Sequence, residues 1–318
     1  MCEQHGGSQP HRARIRSSSV ATEHRSPGGS QPRSAPAPSG ASIAMDAGCY
    51  LWRTLPPKVR LALGWRTRAD AVAAVSHHAR TKNFVEFFCG TGGLVTAALS
   101  QGLRCSWYDV VVDSEHNLLT NKGFALAIKM VLSMIVGGCA WFGVPCRTFV
   151  WIARGHTRRS QAAPLGDSCR ADVRQANLIV ERVFVILRTL AMRRVHFIIE
   201  QPAGSLLWKM PKMRLAAKFA IGRKPWARRF VWLGHFGHRI AKPTELCGIF
   251  PGLSTAFPSK KPKRSNHSGV YKTWTDKRIQ RSFARRWPPC CATTHERTPD
   301  CTGVGSQPLR AARWRSTS

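Results

Sequence analysis

The chain has 318 residues, 43% of them hydrophobic, which is enough for one large or two small domains with a buried core. Its formal net charge of +33 comes from 49 lysines and arginines against 16 acidic residues, and it favours nucleic acid over a membrane surface as the partner. The 11 cysteines include no Cys-x-x-Cys pair, so we predict no metal site and no thioredoxin-like site, and reduced thiols in an intracellular protein.

The first 47 residues are rich in Ser, Pro, Gly, Arg and His, and this composition predicts a disordered tail over 1–47. Beyond it, the alanine-rich residues 68–80 predict a helix. The longest apolar stretch, 124–144, is interrupted by Lys129 and by two adjacent glycines. It therefore indicates a buried helix, a turn and a strand, and not a membrane span.

A strand, a glycine turn and a helix are predicted over residues 83–99. The apolar run 84–88 is followed by Gly90, Gly92 and Gly93, and then by the apolar residues 94–99. Such glycines let the backbone turn tightly and approach a ligand at a helix N-terminus. No Lys-Ser/Thr pair follows, which argues against a phosphate-cradling NTPase loop. A dinucleotide fold, or a turn needed only for packing, remains possible on this stretch alone.

An acidic residue follows the glycine turn on a second predicted strand, residues 103–112. In a nucleotide-binding α/β unit, an acid at the tip of the second strand accepts hydrogen bonds from ribose hydroxyls. Asp109 fits that position, and Asp113 is the competing candidate. Either aspartate could instead cap a turn.

A cysteine ends the next predicted strand. Residues 123–136 predict a helix, and the strand 139–144 runs directly into Pro145 and Cys146. Ligands of open α/β sheets bind beyond the carboxyl ends of the strands, so Cys146 is expected on the same edge as Gly90. A thiolate held there in positive surroundings could act as a nucleophile, although an inert buried cysteine is the alternative.

A glutamate ends the following strand. Residues 147–170 are polar and basic and predict a loop, after which the apolar spacing of 171–192 predicts an amphipathic helix. The strand 195–199 then leads into Glu200, Gln201 and Pro202. Glu200 could serve as an acid or a hydrogen-bond partner at the edge that carries the candidate nucleophile.

Three motifs now stand in order: E-F-F-C-G-T-G-G at 86–93, G-V-P-C at 143–146 and E-Q-P at 200–202. This ordered set resembles the cytosine-5 DNA methyltransferases over roughly residues 83–213. A weaker similarity is found at 242–246, where K-P-T-E-L resembles a segment that follows a late strand in some members of that family. The resemblance implies a class I, Rossmann-like α/β fold with a doubly wound, mostly parallel sheet. Composition adds a small basic C-terminal region and disordered tails to this fold class.

The resemblance implies S-adenosylmethionine as the cofactor and DNA as the substrate. By it, Cys146 attacks carbon 6 of a cytosine that is flipped out of the duplex, and Glu200 hydrogen-bonds ring nitrogen 3 and the exocyclic amine. The methyl group moves to carbon 5, and elimination frees the enzyme. The residues implied to bind the cofactor are Phe88, Gly90, Gly92, Gly93, Asp109 and Pro145.

The motifs depart from the family pattern at several positions. Arg147 and Val150 stand where Gln and Ser are usual after Pro-Cys, and Gln201 stands where Asn is usual. The final Gly-Asn-x-Val-Pro element is absent. These departures support an alternative: a degenerate methyltransferase fold that binds nucleic acid without catalysis. RNA as the substrate is a further alternative, which the net charge does not separate from DNA.

Four segments are predicted along the chain: the tail 1–47, a methyltransferase domain 48–213, a short basic region for target recognition 214–288, and a disordered tail 289–318. The basic region interleaves arginines with aromatic residues, a pattern that suits phosphate contact and base stacking but also an amphipathic strand pair. The cluster K-K-P-K-R at 260–264 resembles a nuclear localisation signal. The predicted nucleic-acid contacts are Arg147, Arg228 and Arg229.

Overall fold

The structure, a computed structural model, describes residues 39–221, 226–236 and 241–255. Six strands form one sheet in these segments, in the order β2-β1-β3-β4-β6-β5. In chain order they are β1 (Lys82–Phe87), β2 (Cys105–Tyr108), β3 (Met134–Phe142), β4 (His196–Pro202), β5 (Ala227–Trp232) and β6 (Pro243–Gly248). Strands β1 to β4 run parallel, and β6 runs antiparallel to both β4 and β5.

Eight α-helices are described around this sheet. They are α1 (Gly40–Thr54), α2 (Pro57–Ala62), α3 (Arg68–His77), α4 (Gly93–Leu99), α5 (Asn121–Leu132), α6 (Arg154–Thr157), α7 (Ala171–Met192) and α8 (Pro211–Ile221). Within the described segments, no helix combines the length and apolar character that crossing a bilayer requires.

The sheet carries apolar side chains on both faces because successive strand residues point to opposite sides. Val85 and Phe87 of β1 lie in a large buried cluster with side chains of helices α1, α5 and α7. Phe84 of the same strand lies in a second cluster, with Leu94 and Val95 of α4. Helices therefore cover both faces, and the predicted fold class, α/β with a doubly wound and mostly parallel sheet, is confirmed.

The strand order reverses between β1 and β3, where the chain leaves β1 toward β2 on one side and later continues toward β4 on the other. Such a topological switch point leaves a crevice outside the carboxyl ends of the strands, where open α/β sheets bind their ligands. The sheet order therefore predicts a ligand site next to the end of β1.

Helix α7 spans residues 171–192, as its apolar spacing predicts. One stripe of this helix is buried along its length, as apolar residues three and four apart produce, and from Arg182 to Leu187 the helix is buried on all sides. The stripe includes Val173, Val180, Val183, Leu187 and Leu190.

The predicted N-terminal boundary is wrong, because helix α1 begins at Gly40 and residues 40–47 are part of the fold. Ser39 caps this helix by accepting a hydrogen bond from the Ser42 N–H at 3.3 Å. The residues that pack inward are small: a Cβ at Gly48 would meet Val72 Cα at 2.6 Å, so α1 and α3 approach closely there. Small residues bury little apolar surface each, which is why composition alone suggested a tail.

The predicted boundary at 213/214 is also wrong, because it falls inside α8. Strands β5 and β6 beyond it pair with β4 and complete the sheet, so this part of the basic region is not a separate unit. The segment K-P-T-E-L comes after β5 in the chain and forms most of β6. The cluster 260–264, the residues 256–288 and the predicted tail 289–318 lie outside the described residues.

Two further elements differ from their predicted bounds. Strand β2 ends at Tyr108 because Asp109 starts a turn, in which the Asp109 carbonyl accepts from the N–H groups of Val112 and Asp113 at 3.1 Å each. Strand β3 begins at Met134, inside the predicted helix 123–136. Gly137, at a φ of +78°, interrupts the regular pairing of β3 with β1.

Candidate active site

A cavity of about 330 Å³ opens beside the carboxyl ends of β1, β3 and β4, at the switch point of the sheet. Phe88 and Trp141 supply aromatic walls, and Glu86, Glu200 and Lys242 supply the charged groups of its lining. We call this space the switch-point cavity. Its position agrees with the ligand site that the sheet order predicts.

Three residues of the turn after β1 have positive φ angles. Phe88 has a φ of +57°, Gly90 of +54° and Gly92 of +67°, and α4 begins at the next residue. Glycine adopts this left-handed conformation without the steric cost that a side chain carries. A Cβ at Gly90 or Gly92 would have no atom within 4 Å, so this side of the turn is open space.

The predicted cofactor residues divide between the cavity and its surroundings. Phe88 and Gly93 line the switch-point cavity together with the predicted catalytic Glu200. Four others are not among the described residues of its lining, namely Gly90, Gly92, Asp109 and Pro145. Their roles in binding a cofactor stay predictions.

Asp109 directly follows β2, the strand next to β1, and its side chain hydrogen-bonds the glycine turn that follows β1. One carboxylate oxygen, Oδ2, accepts from the Gly90 N–H at 2.8 Å, and Oδ1 accepts from the Val111 N–H at 2.9 Å. The competing candidate, Asp113, caps a short 3₁₀ segment by accepting from the Glu115 N–H at 2.8 Å. Asp109 is thus the aspartate that touches the glycine turn, and Asp113 is a turn cap.

Glu86 is a site residue that sequence reasoning missed as a candidate. Glu86 lies on β1 and points to the same face of the sheet as its neighbour on β3, Trp141. Its side chain is buried and lines the switch-point cavity. Its Oε2 accepts from the Val95 N–H at 2.9 Å, at the start of α4. Burial raises the pKa of Glu86 to about 7, aided by the nearby Asp109 carboxylate and opposed by the Val95 hydrogen bond. The signal in the sequence is an acidic residue inside an apolar strand.

We expect Glu86→Gln to stabilise the protein above pH 7. The folded-state pKa lies above the ordinary value of 4.5, so the folded protein keeps a proton that the unfolded chain loses between about pH 4.5 and pH 7. Stability therefore falls as pH rises through this window, and glutamine removes that loss. Urea unfolding at pH 8 should show a gain of about 1–3 kcal/mol that shrinks toward zero by pH 4.

The matched control is Glu115→Gln, which removes an exposed carboxylate that pairs with Lys122. Exposed ion pairs contribute at most about 1 kcal/mol, so this variant should show no comparable stabilisation at pH 8. A Glu86→Gln protein that is less stable than the wild type at pH 8 would contradict the account of Glu86.

Cys146 lies in the segment that leaves β3, and this segment is tied to the end of β4. The buried Gln201 side chain donates from Nε2 to the Val144 carbonyl at 2.5 Å, and its Oε1 accepts from the Ser205 hydroxyl at 2.8 Å. Gln201 therefore joins the two segments, at the position where the enzymes that the motifs resemble have asparagine. Cys146 is a free, half-buried cysteine and is not among the described residues that line the cavity.

Glu200 lies near the end of β4, opposite Leu246 of β6. It shares a sheet face with Ile198, which packs in the same cluster as Trp141 and Leu246. Glu200 and Glu86 thus project from the same face of the sheet and line one cavity. The structure brings the predicted catalytic glutamate to the glycine turn, as the sequence predicts.

The segment after Cys146 is more ordered than the predicted loop 147–170. It contains a 3₁₀ turn at Trp151–Ala153 and helix α6. The buried side chain of Arg159 stabilises this segment. Its guanidinium donates to the Pro164 carbonyl at 2.6 Å and lies 4.3 Å from the centre of the Phe149 ring. A lone arginine between polar residues does not reveal in sequence that its side chain is buried.

The predicted nucleic-acid contacts lie on two parts of the fold. Arg147 is exposed beside Cys146, whereas Arg228 and Arg229 lie on β5. Arg228 is largely exposed and pairs with Glu245 of β6, and Arg229 is half-buried opposite Leu246. Their contact with nucleic acid stays a prediction. Among the described residues, no group of three or more His, Cys, Asp or Glu side chains could hold a metal ion.

Comparison with known proteins finds distant structural similarity. No family model matches the chain, and no curated protein matches it. A solved structure of the Entamoeba histolytica methyltransferase EhMeth is similar at 14% identity and a TM-score of 0.35, over 57% of this chain and 58% of that one. A likeness at this level carries no information about substrate or activity. The sheet order by itself is compatible with a Rossmann-like methyltransferase fold.

Proposed function

We propose that this protein is an S-adenosylmethionine-dependent methyltransferase that methylates carbon 5 of cytosine in DNA. The observation that carries the proposal is the convergence of the three sequence motifs on one edge of the sheet. The glycine turn and Glu200 line the switch-point cavity, and Gln201 ties the Cys146 segment to the strand that bears Glu200.

The residues of the cavity fit a cationic, nucleoside-containing cofactor. Glu86 and Glu200 place two carboxylates in the lining, which suits a sulfonium or ammonium group. Phe88 offers an aromatic wall, and the open space at Gly90 and Gly92 lets a ligand approach the backbone. By the resemblance, Asp109 would hold the ribose hydroxyls, from outside the described cavity lining and with its two oxygens already accepting from the Gly90 and Val111 N–H groups. S-adenosylmethionine, when bound, supplies an electrophilic methyl group.

The protein's own residues would activate the cytosine. Cys146 adds as the thiolate to carbon 6, which forms a carbon–sulfur bond and makes carbon 5 nucleophilic. Glu200 hydrogen-bonds ring nitrogen 3 and the exocyclic amine, which favours that addition. After carbon 5 is methylated, it loses its proton to a base, the carbon–sulfur bond breaks, and the Cys146 thiolate is regenerated. Both groups must reach one base, so the proposed reaction requires Cys146 and Glu200, 54 positions apart in the chain, to act together at one sheet edge.

The charge of the chain supports DNA as the substrate. A formal net charge of +33 attracts a polyanion strongly, and phosphate contacts supply most of the sequence-independent affinity of such proteins. Arg147 is exposed beside Cys146, and Arg228 is largely exposed on β5. We propose that both contact phosphates. DNA affinity should then fall steeply as the salt concentration rises.

The experiment that tests the proposal measures transfer of a labelled methyl group from S-adenosylmethionine to three matched substrates. They are a DNA duplex, the same duplex with every cytosine replaced by 5-methylcytosine, and an RNA of the same sequence. The proposal predicts labelling of the first duplex and background labelling of the other two. Equal labelling of both duplexes would contradict methylation at carbon 5, and labelling of the RNA alone would contradict DNA as the substrate.

One observation favours a second function, namely binding of nucleic acid without catalysis. Cys146 is not among the described residues of the cavity lining. A degenerate methyltransferase fold of this kind would bind DNA in a salt-sensitive way but would not bind S-adenosylmethionine. Calorimetric titration with the cofactor therefore separates the two functions.

A further inference from the structure

The buried carboxylate of Glu86 is held by backbone hydrogen bonds, and within the described segments it has no ion-pair partner. Its side chain is only 6% exposed, and it accepts from the backbone N–H of Val95 at 2.9 Å and from that of Leu94, both at the start of α4. Within the described segments, no lysine, arginine or histidine forms an ion pair with it. An ionised carboxylate costs several kcal/mol to bury without such a partner. Without a bound cation, these surroundings therefore favour the protonated acid.

The titratable groups around Glu86 are mostly acidic. Asp109 at the end of β2 acts on it with a like charge, and the thiols of Cys89 and Cys105 lie close enough to feel its charge in turn. Across the cavity stand Glu200 from β4 and Lys242, which precedes β6. The lining thus holds two carboxylates and one ammonium group, in a chain that is strongly basic overall.

We propose that Glu86 is the proton-linked counter-ion of the cofactor: it is neutral in the empty protein and ionises when a cationic group enters the cavity. This inference rests on the proposed function, because it takes a positively charged cofactor as the ligand. The positive charge of the ligand would pair with the Glu86 carboxylate, which forms no ion pair with any described residue. Binding then releases the Glu86 proton to solvent, and no covalent bond of the ligand changes.

A pH dependence of binding follows, and its sign is fixed by linkage. Burial raises the pKa of Glu86 to about 7 in the empty protein, so binding must expel a proton below that pH and need not do so above it. Affinity for the cationic cofactor should rise about tenfold from pH 6 to pH 8. Glu86→Gln should bind more weakly than the wild type at pH 8 and lose this part of the pH dependence.

The test is calorimetric titration of the full chain with S-adenosylmethionine at pH 7 in phosphate and in Tris buffer, whose ionisation enthalpies differ. The difference between the two apparent enthalpies gives the number of protons released, which we expect to be about one half, since pH 7 is close to the pKa of Glu86. Glu86→Gln should reduce that number to near zero. Glu115→Gln, which removes an exposed carboxylate, should leave it unchanged.

The demethylated product, S-adenosylhomocysteine, provides a second arm, because it keeps the ammonium group and lacks the sulfonium. Proton release by both ligands assigns the contact to the ammonium group, and release by S-adenosylmethionine alone assigns it to the sulfonium. Either result supports the inference. Binding without proton release, or release that persists in Glu86→Gln, would overturn it while leaving the proposed function in place. No binding of S-adenosylmethionine at all would overturn the proposed function as well.

Discussion

Replacement of Cys146 by serine is expected to lower methyl transfer to DNA by roughly 1,000-fold or more, with the affinity for S-adenosylmethionine changed by less than about twofold. A serine hydroxyl stays protonated near neutral pH and is a far weaker nucleophile than a thiolate. The substitution is nearly isosteric, and Cys146 is not among the described residues that line the switch-point cavity, so cofactor binding should survive. Initial rates with a labelled cofactor and calorimetry on the same preparation measure the two quantities.

The matched control for this variant is Cys169→Ser, because Cys169 is also a free thiol and is exposed. It should methylate DNA at the wild-type rate. A Cys146→Ser protein that is as active as the wild type would show that the reaction does not pass through a bond to this cysteine.

Replacement of Gly92 by valine is expected to weaken S-adenosylmethionine binding at least about tenfold. Gly92 holds a φ of +67°, which costs a residue with a side chain about 1–2 kcal/mol and is least tolerated by β-branched residues. The turn can relieve this strain only by moving, and its neighbours Thr91 and Gly93 line the switch-point cavity. The wall that receives the cofactor then shifts. Calorimetry with the full chain measures the loss.

Gly102→Val is the matched control for the glycine turn. Gly102 follows α4, has a φ of +75°, and would also place its Cβ in open space, but it is not among the described residues of the cavity lining. Both variants should lose similar stability, and only Gly92→Val should lose cofactor affinity. Equal affinities for the two variants would show that the glycine turn does not form the cofactor site.

The sequence predicted those elements for which the local sequence favours the same secondary structure that tertiary packing requires. The strand, glycine turn and helix around Gly92 and the amphipathic helix α7 follow from apolar spacing and from turn chemistry, and both stand in the structure. The meeting of the glycine turn with Glu200 also followed, since parallel strands end at one edge of the sheet.

The remaining features depend on packing between distant residues, which no local pattern records. Helix α1 begins early because small residues such as Gly48 let it pack against α3, and this gives no apolar run in the sequence. Strand β6 forms by antiparallel pairing with β4, more than 40 residues away. The burial of Glu86 depends on the way α4 and β3 cover it.

Gln201 illustrates the same limit within the site. The sequence shows a longer side chain than the asparagine of the enzymes that the motifs resemble, and only the structure gives the distance that this side chain spans. The amide reaches the Val144 carbonyl and the Ser205 hydroxyl, so the longer residue still connects the two strand ends. A departure from a motif therefore does not by itself remove the interaction that the motif residue makes.

The measurement that tests the central claim most directly is covalent trapping on DNA that carries 5-fluorocytosine. Fluorine at carbon 5 cannot leave as a proton does, so elimination is blocked and the protein stays bonded to the base. Mass spectrometry of the product is expected to show a one-to-one adduct on Cys146 that forms only with S-adenosylmethionine present and is absent from Cys146→Ser. A wild-type protein that methylates DNA and leaves no adduct, or an adduct on another residue, would contradict the account.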